Sequence, residues 1–351
     1  MPDYIIVGQG ICGTFLSYYL QKAGKSVLVI DNPQSNTASK IASGIINPVT
    51  GRRIVKTWLI EELLPFALRA YKTVGKEVNA SLIKQCNVLD FFATPQMKEA
   101  FESRIDEEPD VLSSVKNNDE QEAYFRFNYG IGEINPCYLT DVQTLLFLWR
   151  QKLKKEQAII EESFNWNDFE IIKEGVRYKE FIAEKIIFCS GVGDAINPYF
   201  QKLPFAFNKG EALITYIPGL PQNYIYKQGI NIVPWKEKDL FWIGSDYSWN
   251  YTDLQPTEAF KKRTQEQLSY LLKLPFTVTD HIASERPANV ERRPFVGLHP
   301  IYNSIGILNG TGTKGCTLAP YFAHQLTQHL LHQTPIEPLA DVKRFMRVLS
   351  R

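Results

Sequence analysis

The chain has 351 residues, which is enough for about two domains, since a typical domain holds roughly 150 residues. Its 39 Lys and Arg residues balance 38 Asp and Glu residues, and this near-zero net charge argues against general binding to nucleic acid or anionic lipid. Five cysteines without a paired spacing argue against a disulfide framework and a zinc site. Because neither a signal peptide nor a membrane-spanning apolar run is recognisable, we expect a soluble, cytoplasmic protein.

The first thirty residues alternate between strand and helix patterns. Apolar runs at 4–7 and 26–30 predict two strands, and the helix-compatible spacing at 14–23 between them ends at Gly24. A strand, a helix and a strand in this order form a βαβ unit, which requires a parallel sheet.

Further along the chain, helical and strand patterns alternate on both sides of an all-β region at 205–250. The acidic, polar stretch 105–122 is expected at the surface. The predicted elements outside the all-β region are helices at 57–78, 95–104, 139–154, 256–272 and 318–332 and strands at 86–94, 169–172, 176–178, 185–189 and 304–308.

The turn after the first strand matches the glycine pattern GxGxxG, which allows a tight turn, close approach of a pyrophosphate and close helix packing. It opens a helix whose N–H groups can face a diphosphate, and Asp31 ends the second strand, where a carboxylate can bind a ribose. Cys12 is expected to be a small packing residue rather than a redox thiol. The candidate cofactor-binding residues here are Gly8, Gly10, Ile11, Cys12, Gly13 and Asp31.

A second glycine-rich loop lies between the predicted strand at 304–308 and the last predicted helix. Only 19 residues follow that helix, without a strand-like run, so the loop cannot belong to a complete second dinucleotide-binding unit. It is expected to bring a second helix N-terminus to the same cofactor. This suits a flavin, because reduction places negative charge on the ring. The candidates are Gly310, Thr311, Gly312, Thr313, Lys314 and Gly315.

With both loops, the chain resembles the FAD-dependent oxidoreductases of the D-amino acid oxidase and glycine oxidase family from end to end. The resemblance is carried by the N-terminal fingerprint with Asp31 and by the segments 42–48, 183–191, 285–287, 293–297, 309–315 and 318–320. It implies FAD as the cofactor. It adds to the cofactor-binding candidates Ala42, Ser43, Gly44 and Gly191.

The resemblance also implies a fold class: α/β, with a discontinuous Rossmann-like FAD-binding domain and an inserted, mostly antiparallel β substrate domain. We expect the FAD-binding domain to comprise 1–82, 135–204 and 281–351. The substrate-binding domain then comprises 83–134 and 205–280.

In glycine oxidase-like members, the arginine of an Arg-Pro pair binds the substrate carboxylate, which makes Arg286 the candidate for this role here. The alternative is that Arg286 has only a structural role, in which it connects a loop to the core. Four other arginines are either an anion-attracting rim or ordinary surface residues, namely Arg52, Arg53, Arg292 and Arg293. The chain departs from glycine oxidases at Asn231, which stands where an aromatic residue often precedes a proline by three positions.

We therefore expect an enzyme that transfers hydride from the C–N carbon of a small amine or amino acid, such as a D-amino acid, glycine or sarcosine, to FAD. No metal site is expected, since His329 and His332 share a helix face without further ligands. No nucleic acid or membrane partner is expected. The alternatives are oxidation of an aminomethyl group on modified tRNA, and a non-catalytic interaction protein that keeps the fold.

Overall fold

The computed structural model describes residues 1–34, 36–51 and 54–351. Within them no helix combines the length and apolarity needed to cross a membrane. The α-helices are α1 (Ile11–Lys22), α2 (Ala38–Ile41), α3 (Ile60–Glu77), α4 (Pro95–Ile105), α5 (Asp119–Glu122), α6 (Val142–Lys155), α7 (Glu258–Leu271), α8 (Gly315–His332) and α9 (Met346–Leu349).

The strands are β1 (Tyr4–Val7), β2 (Val27–Ile30), β3 (Ile45–Ile46), β4 (Val49–Thr50), β5 (Val55–Lys56), β6 (Ile83–Gln85), β7 (Asn87–Phe91), β8 (Leu112–Ser114), β9 (Ile131–Ile134), β10 (Tyr138–Thr140), β11 (Ile159–Ile160), β12 (Phe169–Ile172), β13 (Gly175–Tyr178), β14 (Phe181–Ala183), β15 (Lys185–Phe188), β16 (Asn208–Tyr216), β17 (Tyr224–Gln228), β18 (Ile230–Pro234), β19 (Leu240–Gly244), β20 (Thr277–Arg286), β21 (Phe295–Leu298) and β22 (Ile305–Asn309).

A six-stranded sheet in the order β11-β2-β1-β15-β22-β21 contains the predicted βαβ unit. Its neighbours are parallel except β21, which runs antiparallel to β22. The strands β1 and β2 are buried along their whole length, as expected for a parallel sheet covered on both faces. One apolar core cluster joins this sheet to α1 and α8, which pack against each other through residues such as Phe15 and Phe322.

An eight-stranded sheet in the order β20-β16-β19-β18-β17-β7-β9-β8 forms the second large layer. It is antiparallel except where β17 runs parallel to β7. Alternate residues face opposite sides, so Leu213 and Phe241 pack against α7 while Val233 and Trp242 belong to a different core cluster on the other face. The fold is thus mixed α/β, as the sequence predicts.

The structure adds strands that the sequence patterns did not indicate, such as β9, β10 and β21, and it differs from the sequence-based elements at further points. The helix α1 begins at Ile11, three residues earlier than the apolar spacing indicates, because its first turn is the glycine-rich turn itself. The surface stretch 105–122 contains β8, an edge strand of the large sheet, and α5. After α8 the chain forms a further short helix, α9. The expected domain division at 281 falls inside β20, because this strand pairs with β16 along its whole length.

The turn between β1 and α1 depends on glycine at two positions. Gly8 has φ +99°, a backbone conformation that residues with a Cβ rarely adopt. A Cβ added to Gly13 would lie only 1.9 Å from the carbonyl oxygen of Gly8. The missing side chain therefore allows α1 to pack directly on the end of β1.

We expect Gly13→Ala to destabilise the protein by about 2 kcal/mol or more, because the clash is with backbone that cannot rotate away. Urea unfolding of the apo-protein measures this loss. Gly193→Ala is a matched control, since its added Cβ meets only the Cβ of Ser190, at 3.3 Å. Equal stability of the two variants would contradict the packing role of Gly13.

Candidate functional site

A cavity of about 900 Å³ has one wall from the N-terminal ends of α1 and α8 and another from the eight-stranded sheet. The predicted residues that line it are Ile11, Ala42, Ser43, Gly44, Arg286, Thr311, Gly312, Thr313, Lys314 and Gly315. The predicted residues outside its lining are Gly8, Gly10, Cys12, Gly13, Asp31, Gly191 and Gly310. Residues more than 200 positions apart in the sequence therefore meet at one site.

The N-terminus of α1 lies at one end of this cavity. Gly10 precedes the helix in extended conformation, and the Ile11 N–H donates a hydrogen bond to Ser39 Oγ at 3.1 Å. The first turn of a helix leaves its N–H groups without intrahelical partners, so this end attracts anions. Ser39, on α2, lines the cavity but carries no recognisable sequence signal.

The Asp31 carboxylate is held by a network behind the glycine-rich turn. Its Oδ1 accepts from the Gln9 N–H at 2.8 Å, and its Oδ2 accepts from Arg150 Nη1 and Nη2 at 2.7 and 2.8 Å. Arg150 Nη1 also donates to Gln9 Oε1 at 2.8 Å. Burial raises the pKa of Asp31, while the Gln9 N–H and the Arg150 charge oppose the rise. The sequence analysis did not identify Arg150, because it lies on α6, far along the chain.

The loop before α8 brings a buried amine to the cavity. Lys314 Nζ donates to Thr57 Oγ1 at 2.7 Å, and burial lowers the pKa of Lys314 to about 8. The lysine adds positive charge beside the positive end of the α8 dipole. Cys12 is buried nearby, and burial raises the pKa of its thiol to about 12, so it is a protonated packing residue.

The turn that contains Gly191 is joined to the end of β22. Asn309 Nδ2 donates to the Gly191 carbonyl at 2.7 Å and to Asp194 Oδ2 at 2.6 Å. Burial raises the pKa of Asp194 to about 6, and the Asn309 amide opposes this by stabilising the carboxylate. Because Gly310 follows Asn309 directly, these contacts fix the 191 turn next to the 310–315 loop.

Arg286 ends β20 and lies in the wall of the cavity. Its Nη1 donates to Asn208 Oδ1 at 2.8 Å and to the Asp246 carbonyl at 3.1 Å, and its Nη2 donates to Ser245 Oγ at 2.7 Å. Its guanidinium lies 4.9 Å from the centre of the Tyr247 ring. Burial lowers the pKa of Arg286. The side chain crosses Gly210, where an added Cβ would lie 1.7 Å from Nη2.

Two tyrosines of the predicted substrate-binding domain, and Asn231, Arg292 and Arg293 from the sequence analysis, lie in different surroundings. Tyr247 lines the cavity, whereas Tyr226 is buried on the opposite face of the sheet. Asn231 lines the cavity, and its Nδ2 donates to the Gly244 carbonyl at 3.3 Å. Arg293 lies over the Trp58 ring, and Arg292 is exposed.

Two of the rim candidates, Arg52 and Arg53, lie outside the described residues. Over the described ranges, no group of three or more His, Cys, Asp or Glu side chains has the arrangement of a metal site.

Comparison with known proteins gives the family. A family model described as FAD dependent oxidoreductase matches residues 3–329, which is most of the chain. The chain belongs to this family of FAD-dependent oxidoreductases. The uncharacterized oxidoreductase YurR of Bacillus subtilis (strain 168) is 39% identical over 72 residues. That match spans about a fifth of either protein, namely 20% of this chain and 19% of YurR.

Solved structures share the fold over nearly the whole chain. Glycine oxidase from Geobacillus kaustophilus has a TM-score of 0.79 and 15% identity, with 95% of each chain covered. Iminodiacetate oxidase from Chelativorans sp. BNC1 has a TM-score of 0.76 and 16% identity, covering 96% of this chain and 97% of that one. L-proline dehydrogenase from P. horikoshii has a TM-score of 0.77 and 17% identity, covering 99% and 98%.

The FAD cofactor of this oxidoreductase suits the cavity. Gly44 lines the cavity where the chain packs against Thr140, since an added Cβ would lie 2.0 Å from the Thr140 carbonyl oxygen. Two helix N-termini and Lys314 supply donors and positive charge for a diphosphate and for an electron-rich ring. We propose that the sequence-predicted loops and Asp31 hold FAD, together with Ser39 and with Arg150 acting through Asp31.

We expect Arg150→Ala to lower the stability of the apo-oxidoreductase by about 3 kcal/mol, because it leaves the Asp31 carboxylate largely buried without its counter-charge. FAD content after purification should fall as well. Lys154→Ala is the control, since it removes only an exposed ion pair with Glu161. Urea unfolding and flavin absorbance measure both effects, and unchanged stability and FAD content would contradict the role of Arg150.

Proposed function

We propose that this oxidoreductase removes hydride from the carbon next to the nitrogen of a small amine or amino acid, and that Arg286 binds the substrate carboxylate. The observation that carries the proposal is the position of the Arg286 charge, which has no ion-pair partner. It is a partly buried cation in the cavity wall, and no carboxylate among the described residues forms an ion pair with it, since the Asp246 carboxylate, whose charge acts on it, pairs with Arg263 instead. A buried charge without a counter-ion is unfavourable, so a bound carboxylate would relieve this cost.

The donors of Arg286 also suit a carboxylate. A guanidinium has five N–H donors, and three hydrogen bonds to Asn208, Ser245 and Asp246 leave two for a ligand. Two acidic residues nearby are already engaged: Glu211 accepts from Thr257, and Asp246 pairs with Arg263. The substrate is therefore the natural source of the missing negative charge.

In the proposed reaction, the cofactor and the protein chain have different roles. FAD, when bound, accepts the hydride. Arg286 orients the substrate by its carboxylate, and the α8 N-terminus with Lys314 stabilises negative charge in the cavity. Loss of hydride from a neutral amine leaves an iminium ion, so this step needs no side-chain base, and water hydrolyses the iminium ion to a carbonyl compound and a protonated amine.

The names of the structural neighbours support this substrate class. Three of the neighbours are named after glycine, iminodiacetate and L-proline. Each of these compounds contains an amine nitrogen one carbon away from a carboxylate. In this chain, Arg286 lines the same cavity as the proposed flavin site, where it could bind such a carboxylate.

The first test is an absorbance spectrum followed by anaerobic addition of glycine, sarcosine, D-amino acids, L-proline and simple amines. Bleaching of the flavin band by an amino acid, but not by the matching amine without its carboxylate, supports the proposal. Bleaching by amines regardless of a carboxylate would contradict the role of Arg286. A band that none of these compounds bleaches would reject small-amine oxidation and direct the search to larger amines, including aminomethyl groups on tRNA.

We expect Arg286→Ala to raise KM for the amino acid substrate by about 100-fold or more, because a buried hydrogen-bonded charge pair is lost. FAD content should stay unchanged. Arg347→Ala is the control, since Arg347 is exposed and distant from the cavity lining. Steady-state kinetics give the comparison, and an unchanged KM for Arg286→Ala would reject the carboxylate role.

Gly210→Ala should weaken carboxylate binding about 10- to 100-fold with little loss of stability, because the new Cβ displaces the Arg286 guanidinium and this flexible side chain can move. Ser284→Ala provides the control, since Ser284 pairs with Gly210 in the sheet and also lines the cavity. Titration with a carboxylate ligand, followed by the flavin spectrum, measures the effect. Equal affinities of the two variants would show that Gly210 does not position Arg286.

A further inference from the structure

A row of polar residues crosses the cavity face of the eight-stranded sheet. Asp90 on β7 pairs in register with Lys227 on β17. Lys227 in turn pairs with Asn231 on β18, and Asn231 pairs with Gly244 on β19. Directly paired residues lie on the same face of a sheet, and all but Gly244 line the cavity. The neighbouring positions on this face are apolar and belong to one core cluster, namely Val88, Ile225, Val233 and Trp242.

Asp90 and Lys227 form an ion pair in this row. Lys227 Nζ donates to Asp90 Oδ2 at 2.6 Å, and Asp90 is only 2% exposed. The other oxygen, Asp90 Oδ1, is buried and accepts no hydrogen bond from any described residue. Lys227 keeps two further N–H donors, since an ammonium has three. The pair thus offers one unused acceptor and unused donors side by side, with no net charge.

The row leads from a contact of Arg286 to the Asp90–Lys227 pair. The Arg286 guanidinium bonds to Ser245, which follows Gly244 at the end of β19. Lys227 lies two strands away from β19, which places its backbone about 10 Å from that strand at the usual spacing between strands. Asn231 lies between them. Asp90 lies one strand further, on β7. Because all of these residues line one cavity, a ligand whose carboxylate binds Arg286 can extend past Asn231 towards the Asp90–Lys227 pair.

The unused acceptor of Asp90 and the unused donors of Lys227 indicate which chemical group the other end of the ligand would carry. A second carboxylate would meet the Asp90 charge, and an alkyl end would leave Asp90 Oδ1 without a donor. A carboxamide has an N–H donor and an oxygen acceptor on one carbon, which matches Oδ1 and Nζ. Resting on the proposed function of Arg286, we propose that Asp90 and Lys227 form a second subsite that binds the distal carboxamide of an amino acid substrate.

The test uses ligands that cannot be oxidised and that differ by one group. Succinamate, glutaramate and adipamate carry a carboxylate and an amide over increasing lengths. The methyl ketone of the same shape replaces each amide NH2 by CH3, and the diacid replaces it by a second carboxylate. Their dissociation constants for the FAD-loaded enzyme are measured by calorimetry and by the shift of the flavin band. We expect one amide to bind about 10- to 100-fold more tightly than its ketone and its diacid.

Variants show which residues cause the preference. Asp90→Asn, and the doubly neutral Asp90→Asn with Lys227→Met, should reduce the preference for the amide over the ketone at least fivefold. The matched controls are Asp110→Asn and Lys238→Met, because both residues are exposed. Flavin content and thermal unfolding establish that each variant is folded. The wild-type comparison of amide with ketone remains decisive even if a variant does not fold.

The outcomes separate this inference from the proposed function. If simple carboxylates bind through Arg286 but no amide exceeds its ketone, the second subsite is rejected while the carboxylate site stands. Tighter binding of the diacids would equally reject it, because Lys227 would then recognise an anion. If no carboxylate binds and Arg286→Ala changes nothing, the proposed function itself fails. An amide preference that survives in the Asp90 variants would assign the recognition to other residues and overturn the inference.

Discussion

The close packing of α1 on β1 is the constraint on which the cofactor end of the site depends. It exists because Gly13 has no side chain to separate the helix from the carbonyl of Gly8. The helix therefore begins directly at the carboxyl edge of the parallel sheet, and α8 packs beside it and begins at the same edge. Two positive helix ends and Lys314 meet there.

The second sheet supplies the charges of the opposite wall. Its strands bring Arg286, Lys227 and Asp90 to one cavity face, while α7 covers the other face with apolar contacts. Burial makes each of these charges expensive unless it has a partner, and the partners differ. Lys227 has Asp90, whereas Arg286 has only neutral acceptors and the Tyr247 ring among the described residues. This difference distinguishes a site that needs an anion from one that suits a neutral polar group.

The patterns that were readable from the sequence are those whose cause is local. The glycines of the two loops, the apolar runs of β1 and β2 and the helical pattern at 318–332 depend on neighbours within a few residues. Arg150 and Lys227 were not readable, because they act on partners 119 and 137 positions away, respectively. Similarly, no local pattern distinguishes Tyr226 from Tyr247. Only the tertiary structure places Tyr226 in the core and Tyr247 in the cavity lining.

By itself, the sequence determined a dinucleotide-binding α/β fold, because glycine turns and strand–helix alternation are short-range features, and its resemblance to a family gave the class of FAD-dependent oxidoreductases. It also identified Arg286 as a candidate, through its resemblance to a family. Only the tertiary structure decided what surrounds that arginine, since its acceptors come from two segments that are distant in the sequence, and only it placed Asp90 and Lys227 in the wall of the same cavity. Burial and charge pairing are properties of the assembled sheets, and no segment of the chain carries them alone.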